Sequence, residues 1–202
     1  MKEKLLNIKK RISYRFNLLS VLEFLLLMSI WPMMMYADSL WFKEDGVVEN
    51  IQLLICFVSL FLCIRARNNK SIFYFLAFLL FLIICREVNT GRHWLCSYYN
   101  IPHDSRWEDV PYGLIIKWVR NGIAILAFVY FLAYKVWQPL GQCIKKAPIY
   151  VWDFLFLLIA AILSQVAEKP FDNEIMEEMS ELLMYLALLN CIWHYGYGKN
   201  EH

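Results

Sequence analysis

Six long apolar runs, separated by short polar segments, dominate the pattern of the chain. A helix needs about 20 mostly apolar residues to cross the roughly 30 Å hydrocarbon core of a bilayer. The sequence therefore predicts an all-α, polytopic transmembrane helix bundle of about six helices, and residues 1–202 are expected to form a single integral membrane domain. The predicted helices cover approximately residues 17–36, 47–65, 70–88, 113–135, 149–167 and 175–195.

The basic residues predict an orientation for this bundle. Cytoplasmic loops of membrane proteins carry an excess of Lys and Arg. If both termini are cytoplasmic, 13 of the 20 basic residues lie on the inner side, and 14 of the 18 acidic residues lie toward the outer side. The first apolar run, Leu18–Tyr36, is longer than the apolar part of a cleaved signal, and no A-x-A-like site follows it. We therefore expect a retained first helix and a bacterial inner-membrane protein with the N- and C-termini inside.

Four of the predicted spans are apolar only in their inner part. Their uncharged runs of about 12–14 residues reach about 20 Å at 1.5 Å per residue, which is about 10 Å less than the hydrocarbon core. In each of these helices the missing length comes from a charged outer end. Charges at that depth are costly unless they pair with one another or face water. The sequence thus predicts an outward-facing polar cavity lined by Glu49, Arg86, Glu87, Arg92, Lys117, Arg120, Glu177, Glu178 and Glu181.

A simpler explanation exists for each of these charges taken alone. Long side chains can extend to the membrane surface and keep their charged group in water, and local thinning of the bilayer absorbs a few ångströms. For a single residue this explanation is favoured. The recurrence of the pattern in four helices favours a shared cavity.

The longest outer loop carries candidate metal ligands. His93, His103 and Asp104, together with Glu49 or Glu87, have the chemistry of a site with two histidines and a carboxylate. Their spacing matches no known metal motif, so packing of an aromatic loop at the interface is favoured, and no cofactor is predicted. On the inner side, Glu23 and Asp153 lie within apolar runs, where a lone carboxylate marks a candidate functional site; an interfacial pair with a nearby base such as Arg15 or Lys146 is the favoured explanation. His194 is interpreted as an anchor at the end of the last helix.

Composition narrows the classes of function. The chain is 60% hydrophobic and carries a net charge of only +2 with dispersed basic residues, which argues against nucleic-acid binding. The six cysteines form no C-x-x-C pair and no zinc-like spacing, so packing is favoured over redox chemistry or metal binding. No nucleophile elbow, phosphate-binding loop or zincin motif occurs. Together, these observations favour a non-enzymatic protein over an enzyme.

Two charged segments resemble those of a group of small uncharacterised bacterial polytopic membrane proteins. Residues 44–49 read E-D-G-V-V-E at the opening of one helix, and residues 86–92 read R-E-V-N-T-G-R at the close of the next. The group has no assigned activity, so the resemblance implies a membrane fold and no mechanism. Charged residues in these two segments are among the outer charges that the short apolar runs already indicated.

Three functions remain open at this point. The first is a non-enzymatic multi-pass protein whose outer cavity binds a cation, a lipid headgroup or a protein partner. The second is an intramembrane, metal-dependent enzyme acting on lipid headgroups at the outer leaflet. The third is an accessory or sensor subunit of a membrane complex. The lipid bilayer is the expected partner in all three, with a second copy of the chain or a membrane-complex subunit as a further one.

Overall fold

The computed structural model describes residues 11–37, 41–42, 46–87, 96, 98–99, 109–167, 171 and 173–198, apart from the side chains of Glu87 and Lys146. This part of the chain is almost entirely helical. Its helices are α1 (Leu18–Tyr36), α2 (Val47–Arg65), α3 (Lys70–Glu87), α4 (Gly113–Ala133), α5 (Trp137–Lys146), α6 (Val151–Val166) and α7 (Glu174–Tyr197).

Each of the six segments predicted as spans contains one long helix, and the all-α prediction is confirmed. Among the described residues, α1, α2 and α4 are long and apolar enough to cross a membrane, and α6 is a shorter apolar helix of 16 residues. The prediction of about six helices missed α5. This ten-residue helix follows α4 after a turn, and Pro139 is accommodated in its first turn, where a backbone donor is not needed.

Helices α1, α2, α3, α4, α6 and α7 run alternately up and down. At one end, the near end, Asn17 contacts His194 and the Arg67 amide donates to the Gly196 carbonyl. At the opposite end, the far end, Ile30, Phe42, Val48, Ala167, Met176 and Met179 form a buried apolar cluster. The described chain therefore starts and finishes at the same end of the bundle.

Helix α7 is the central element of the fold. It packs against α6, α2 and α1, and α3 and then α4 extend the bundle beyond α2. Buried residues occur all around α7, including Leu183, Tyr185, Ala187, Asn190 and Ile192. A helix surrounded by neighbours on several sides can carry polar groups that a lipid-facing helix cannot, provided that those neighbours satisfy them.

A short pair of strands closes the near end. Strand β1 (Ile12–Ser13) runs parallel to β2 (Ile149–Tyr150), with Ile12 beside Ile149. The Arg11 side chain extends the same connection, because its Nε donates to the Ala147 carbonyl at 3.0 Å. This strap links the segment before α1 to the start of α6. It was not predicted, since a two-residue strand has no periodicity to detect.

Candidate functional site

Six polar side chains meet inside the near-end half of the bundle, between α1, α6 and α7. Ser20, Glu23, Asp153 and Asn190 are completely buried (0% exposed), and the side chain of His194 is 13% exposed. We call this set the near-end polar cluster; its members are Asn17, Ser20, Glu23, Asp153, Asn190 and His194. Buried polar groups in an apolar interior require hydrogen-bond partners, and the cluster supplies most of these itself.

Helix geometry brings these residues together. Asn190 and His194 are four residues apart on α7 and therefore share one face. Asn17 is the N-cap of α1, and Ser20 and Glu23 follow at intervals of three residues on the side that faces α7. Asp153 lies in the first turn of α6, where the positive end of the helix dipole favours a carboxylate.

The N-cap of α1 fixes the orientation of the cluster. The Ser20 backbone N–H donates to Asn17 Oδ1 at 2.7 Å, and the Ser20 hydroxyl donates to the same atom at 2.9 Å. Because a backbone N–H can only donate, the atom facing it must be the amide oxygen of Asn17. The Asn17 amide nitrogen therefore points into the bundle, where it donates to Asn190 Oδ1 at 2.8 Å and lies 3.0 Å from His194 Nε2.

The same reasoning assigns the tautomer of His194. Its Nε2 faces a donor, so Nε2 is the acceptor, and the ring proton resides on Nδ1. Nδ1 lies 2.8 Å from Asp153 Oδ2, to which it donates. The imidazole also stacks on the Tyr150 ring, with centroids 4.2 Å apart. His194 is thus held on both nitrogens and on one face.

The amide nitrogen of Asn190 is shared by two carboxyl groups. It lies 2.8 Å from Glu23 Oε1, 3.1 Å from Asp153 Oδ1 and 3.2 Å from Ser20 Oγ. An amide nitrogen carries only two hydrogens, so these acceptors outnumber the available donors. Within the described part of the chain, Glu23 Oε2 is buried and has no hydrogen-bond partner. The cluster consequently has at least one acceptor atom that no described donor satisfies.

The chemistry of the cluster favours binding over nucleophilic catalysis. An Asp–His pair can act as a general base, but here Nε2 of His194 faces the Asn17 amide and no nucleophile. The Ser20 hydroxyl donates to Asn17 and not to the imidazole. No group of three His, Cys, Asp or Glu side chains suited to a metal ion occurs among the described residues.

The described contacts of the inner carboxylates are with α7: Asp153 binds His194 and Asn190, and Glu23 binds Asn190. Of the two bases suggested as partners, the side chain of Lys146 lies outside the described residues, and pairing of these carboxylates with a base stays a prediction. His194 is a member of the polar cluster and not only an anchor.

Asn190, Asn17 and Ser20 were missed by the sequence analysis. Asn190 interrupts the apolar run of α7 four residues before His194, and this spacing was the available signal.

Four of the predicted outer charges lie at the far end on α2 and α7. Glu49 is in the first turn of α2, and Glu177, Glu178 and Glu181 are in the first two turns of α7. The two helices are joined there, because Gln52 Nε2 donates to the Glu178 carbonyl at 2.9 Å and to Glu178 Oε2 at 2.8 Å.

The remaining predicted cavity residues are distributed differently. Arg86 lies at the far end of α3, and Lys117 and Arg120 lie on α4, whose main packing partner is α3. The Glu87 side chain, Arg92 and the candidate metal ligands His93, His103 and Asp104 lie outside the described residues. The shared outer cavity and the metal site therefore stay predictions.

These features define an α-helical protein that has, within its described residues, three helices able to span a membrane and a buried polar cluster. Comparison with known proteins adds no family to this description: no family model, no curated protein and no solved structure matches the chain.

Proposed function

We propose that the chain is a non-enzymatic, multi-pass protein of a bacterial inner membrane that binds a proton or a small cation in the near-end polar cluster. One observation carries the proposal: the carboxyl groups of Glu23 and Asp153 converge on a single amide nitrogen, that of Asn190, within 2.8 and 3.1 Å.

The energetics of buried carboxylates support this function. Two carboxylates that share one site repel each other, and the low dielectric of the interior penalises both charges. A proton on one of them or a cation between them removes this penalty. Ionisable residues inside a membrane bundle commonly mark ion or proton sites. Glu23 Oε2 has no partner among the described residues, which supports this atom of α1 as the one that binds the proton or cation.

The test compares ligand dependence in matched variants of the full chain in detergent. Thermal unfolding of the wild type should depend on pH, or on added Na⁺ or K⁺ relative to choline at equal ionic strength. Glu23→Gln supplies a neutral side chain of the same shape and should remove that dependence. The control is Glu174→Gln, an exposed acid at the far end, which should retain it. An unchanged dependence in Glu23→Gln would contradict the proposal.

The membrane topology belongs to the same proposal. We infer six spans with the near end in the cytoplasm. This is supported by the alternating directions of the six long helices and by the basic residues Arg11, Arg15, Arg65, Arg67 and Lys70 at the near end. The resemblance to small bacterial polytopic membrane proteins agrees with it.

A second candidate function is the outward polar cavity that binds a cation or a headgroup. Its supporting observation is Gln52, which is completely buried in α2, donates to Glu178, and has no described partner for Oε1. If the outer charges converge, Glu49→Gln and Arg120→Gln should each lower the unfolding temperature in detergent, because each leaves an opposite charge without its partner. If both variants unfold at the wild-type temperature, the outer charges are separate surface groups and this candidate fails.

A further inference from the structure

An apolar cavity of about 610 Å³ lies in the near-end half of the bundle, on the side away from the polar cluster. Helix α5 and the segment after it form one wall, and α3, α6 and α7 form the others. Its lining is almost wholly apolar and includes Phe73, Leu76, Leu188 and Ile192. Leu76 is six residues into α3, so the cavity extends about 9 Å from the near end toward the middle of the bundle at 1.5 Å per residue.

A single cation lines this cavity among the described residues, and it lies at the near-end mouth. Arg11 Nε and Nη2 donate to the Ala147 carbonyl at 3.0 and 2.7 Å, and Nη2 also donates to the Ile144 carbonyl at 2.6 Å. These bonds satisfy carbonyls at the C-terminal end of α5, which have no partners within the helix. In the described part of the chain no acceptor is bonded to Nη1, so the N–H donors of Nη1 are available to a ligand, whereas both hydrogens of Nη2 are engaged by carbonyls.

The cavity thus has an apolar body and a cationic mouth. We propose that it binds an anionic phospholipid of the inner leaflet, with one acyl chain in the cavity and the phosphate on Arg11. The volume falls within the roughly 300–1,000 Å³ typical of small-molecule pockets. The guanidinium of Arg11 is permanently charged, and its Nη1 donors are held in a fixed plane, which suits an anionic phosphate oxygen.

The cysteines of the cavity fit an apolar wall better than a reactive site. Burial raises the pKa of the Cys143 thiol, and the nearby Arg11 charge only partly opposes this effect. A thiol that stays protonated behaves as a small apolar group. Cys143 lies on α5 and lines the cavity, so a larger side chain at this position would occupy the volume assigned to the acyl chain.

The first test measures headgroup selectivity with the full chain in mild detergent. Phosphatidylglycerol and phosphatidylcholine of identical acyl chains are added, and lipid binding is counted by native mass spectrometry. The wild type should bind one phosphatidylglycerol with about fivefold preference, since one basic residue near a membrane surface contributes about 1 kcal/mol to attraction of anionic lipid. Arg11→Gln should lose this preference. Arg15→Gln, an exposed basic residue that does not line the cavity, should keep it.

The second test fills the cavity. Cys143→Trp should lose both lipids while its helical content matches the wild type, and Leu76→Phe provides a second filled variant should Cys143→Trp fail to fold. Equal binding of the two lipids by the wild type would overturn the role of Arg11. Undiminished binding by a correctly folded filled variant would overturn the cavity as the site. If the wild type instead forms a dimer without bound lipid, and Cys143→Trp disrupts that dimer, the cavity binds a second copy of the chain and the lipid proposal is overturned. None of these results depends on proton or cation binding at the polar cluster.

Discussion

Asn17 is the residue on which the orientation of the polar cluster depends. It caps α1 through its oxygen and supplies two buried acceptors, Asn190 Oδ1 and His194 Nε2, through its nitrogen. If the Asn17 amide were rotated by 180°, its nitrogen would face the Ser20 N–H, donor against donor. Its oxygen would face Asn190 Oδ1, acceptor against acceptor. The backbone N–H of Ser20, at the start of α1, thus fixes the Asn17 amide. That amide in turn determines which atoms of Asn190 and His194 face the carboxyl groups of the cluster.

Replacing Asn17 tests this role, and α7 offers a matched control. Asn173 caps α7 in the same way, with its side chain accepting from the Met176 N–H at 2.9 Å. Asn173→Ala should cost about 1 kcal/mol, the usual effect of losing an N-cap. Asn17→Ala should cost about 2–4 kcal/mol, since it also leaves buried acceptors without a donor. Denaturation in detergent measures both. Equal losses for the two variants would show that Asn17 is only a cap.

Part of this cluster was predictable from the sequence, but the hydrogen bonds between its members were not. Glu23 and Asp153 were noticed because a carboxylate within an apolar run is costly, and His194 because it is ionisable near a helix end. Asn190 drew no attention, since a neutral amide carries no charge to explain. Nothing in the spacing of Glu23 and Asp153 indicates that α1 and α6 meet on the same face of α7. That information resides in the packing of the helices.

Long helices were predictable at the scale of the element, and short elements were not. A backbone inside a membrane must satisfy its own hydrogen bonds, so a long, mostly apolar segment is expected to be helical. Helix α5 has ten residues, of which Pro139 and Gly141 are poor helix formers. Its position depends on Arg11, more than 130 residues away in sequence. No local pattern encodes such a contact.

Gly196 of α7 lies where that helix contacts Phe73 of α3 and Ala66. A Cβ atom there would lie 3.4 Å from the Phe73 ring and 3.5 Å from Ala66 Cβ, which is ordinary contact. Gly196→Ala should therefore be nearly neutral. Gly196→Leu should destabilise the bundle by about 1–3 kcal/mol, because added methylene groups must displace packed side chains.

A second glycine provides the control for this experiment. Gly122 lies in α4, where an added Cβ would meet nothing within 4 Å. Gly122→Leu should leave the unfolding free energy in detergent unchanged or raise it, since leucine is the better helix former. If Gly196→Leu is also neutral, the near-end contact between α7 and α3 is looser than the structure indicates.

At the scale of the whole molecule, buried polar groups lie around α7, and the apolar helices α1 and α4 are mostly exposed. Helices α1 and α4 are long and apolar enough to span a membrane, and only 17% and 6% of the residues in their most apolar 18-residue segments are buried. Helix α7 is the most enclosed and carries Asn190 and His194 at one end and four glutamates at the other. Its neighbours α1, α2 and α6 supply partners such as Asn17, Gln52 and Asp153. A central helix of this kind can enter a membrane only together with the helices around it.

The orientation of the bundle gives the last prediction. With the near end in the cytoplasm, alkaline phosphatase fused after His202 should be inactive, and a fluorescent protein at the same position should fluoresce. A phosphatase fusion after Gly46, at the far end of α2, should be active. Because positive charge near the helix ends retains a segment in the cytoplasm, replacing Arg65 and Arg67 with Gln should increase the activity of a phosphatase inserted after Asn68. Phosphatase activity at His202 together with none at Gly46 would show that the bundle has the opposite orientation. The polar cluster and the Arg11 cavity would then lie in the outer half of the membrane.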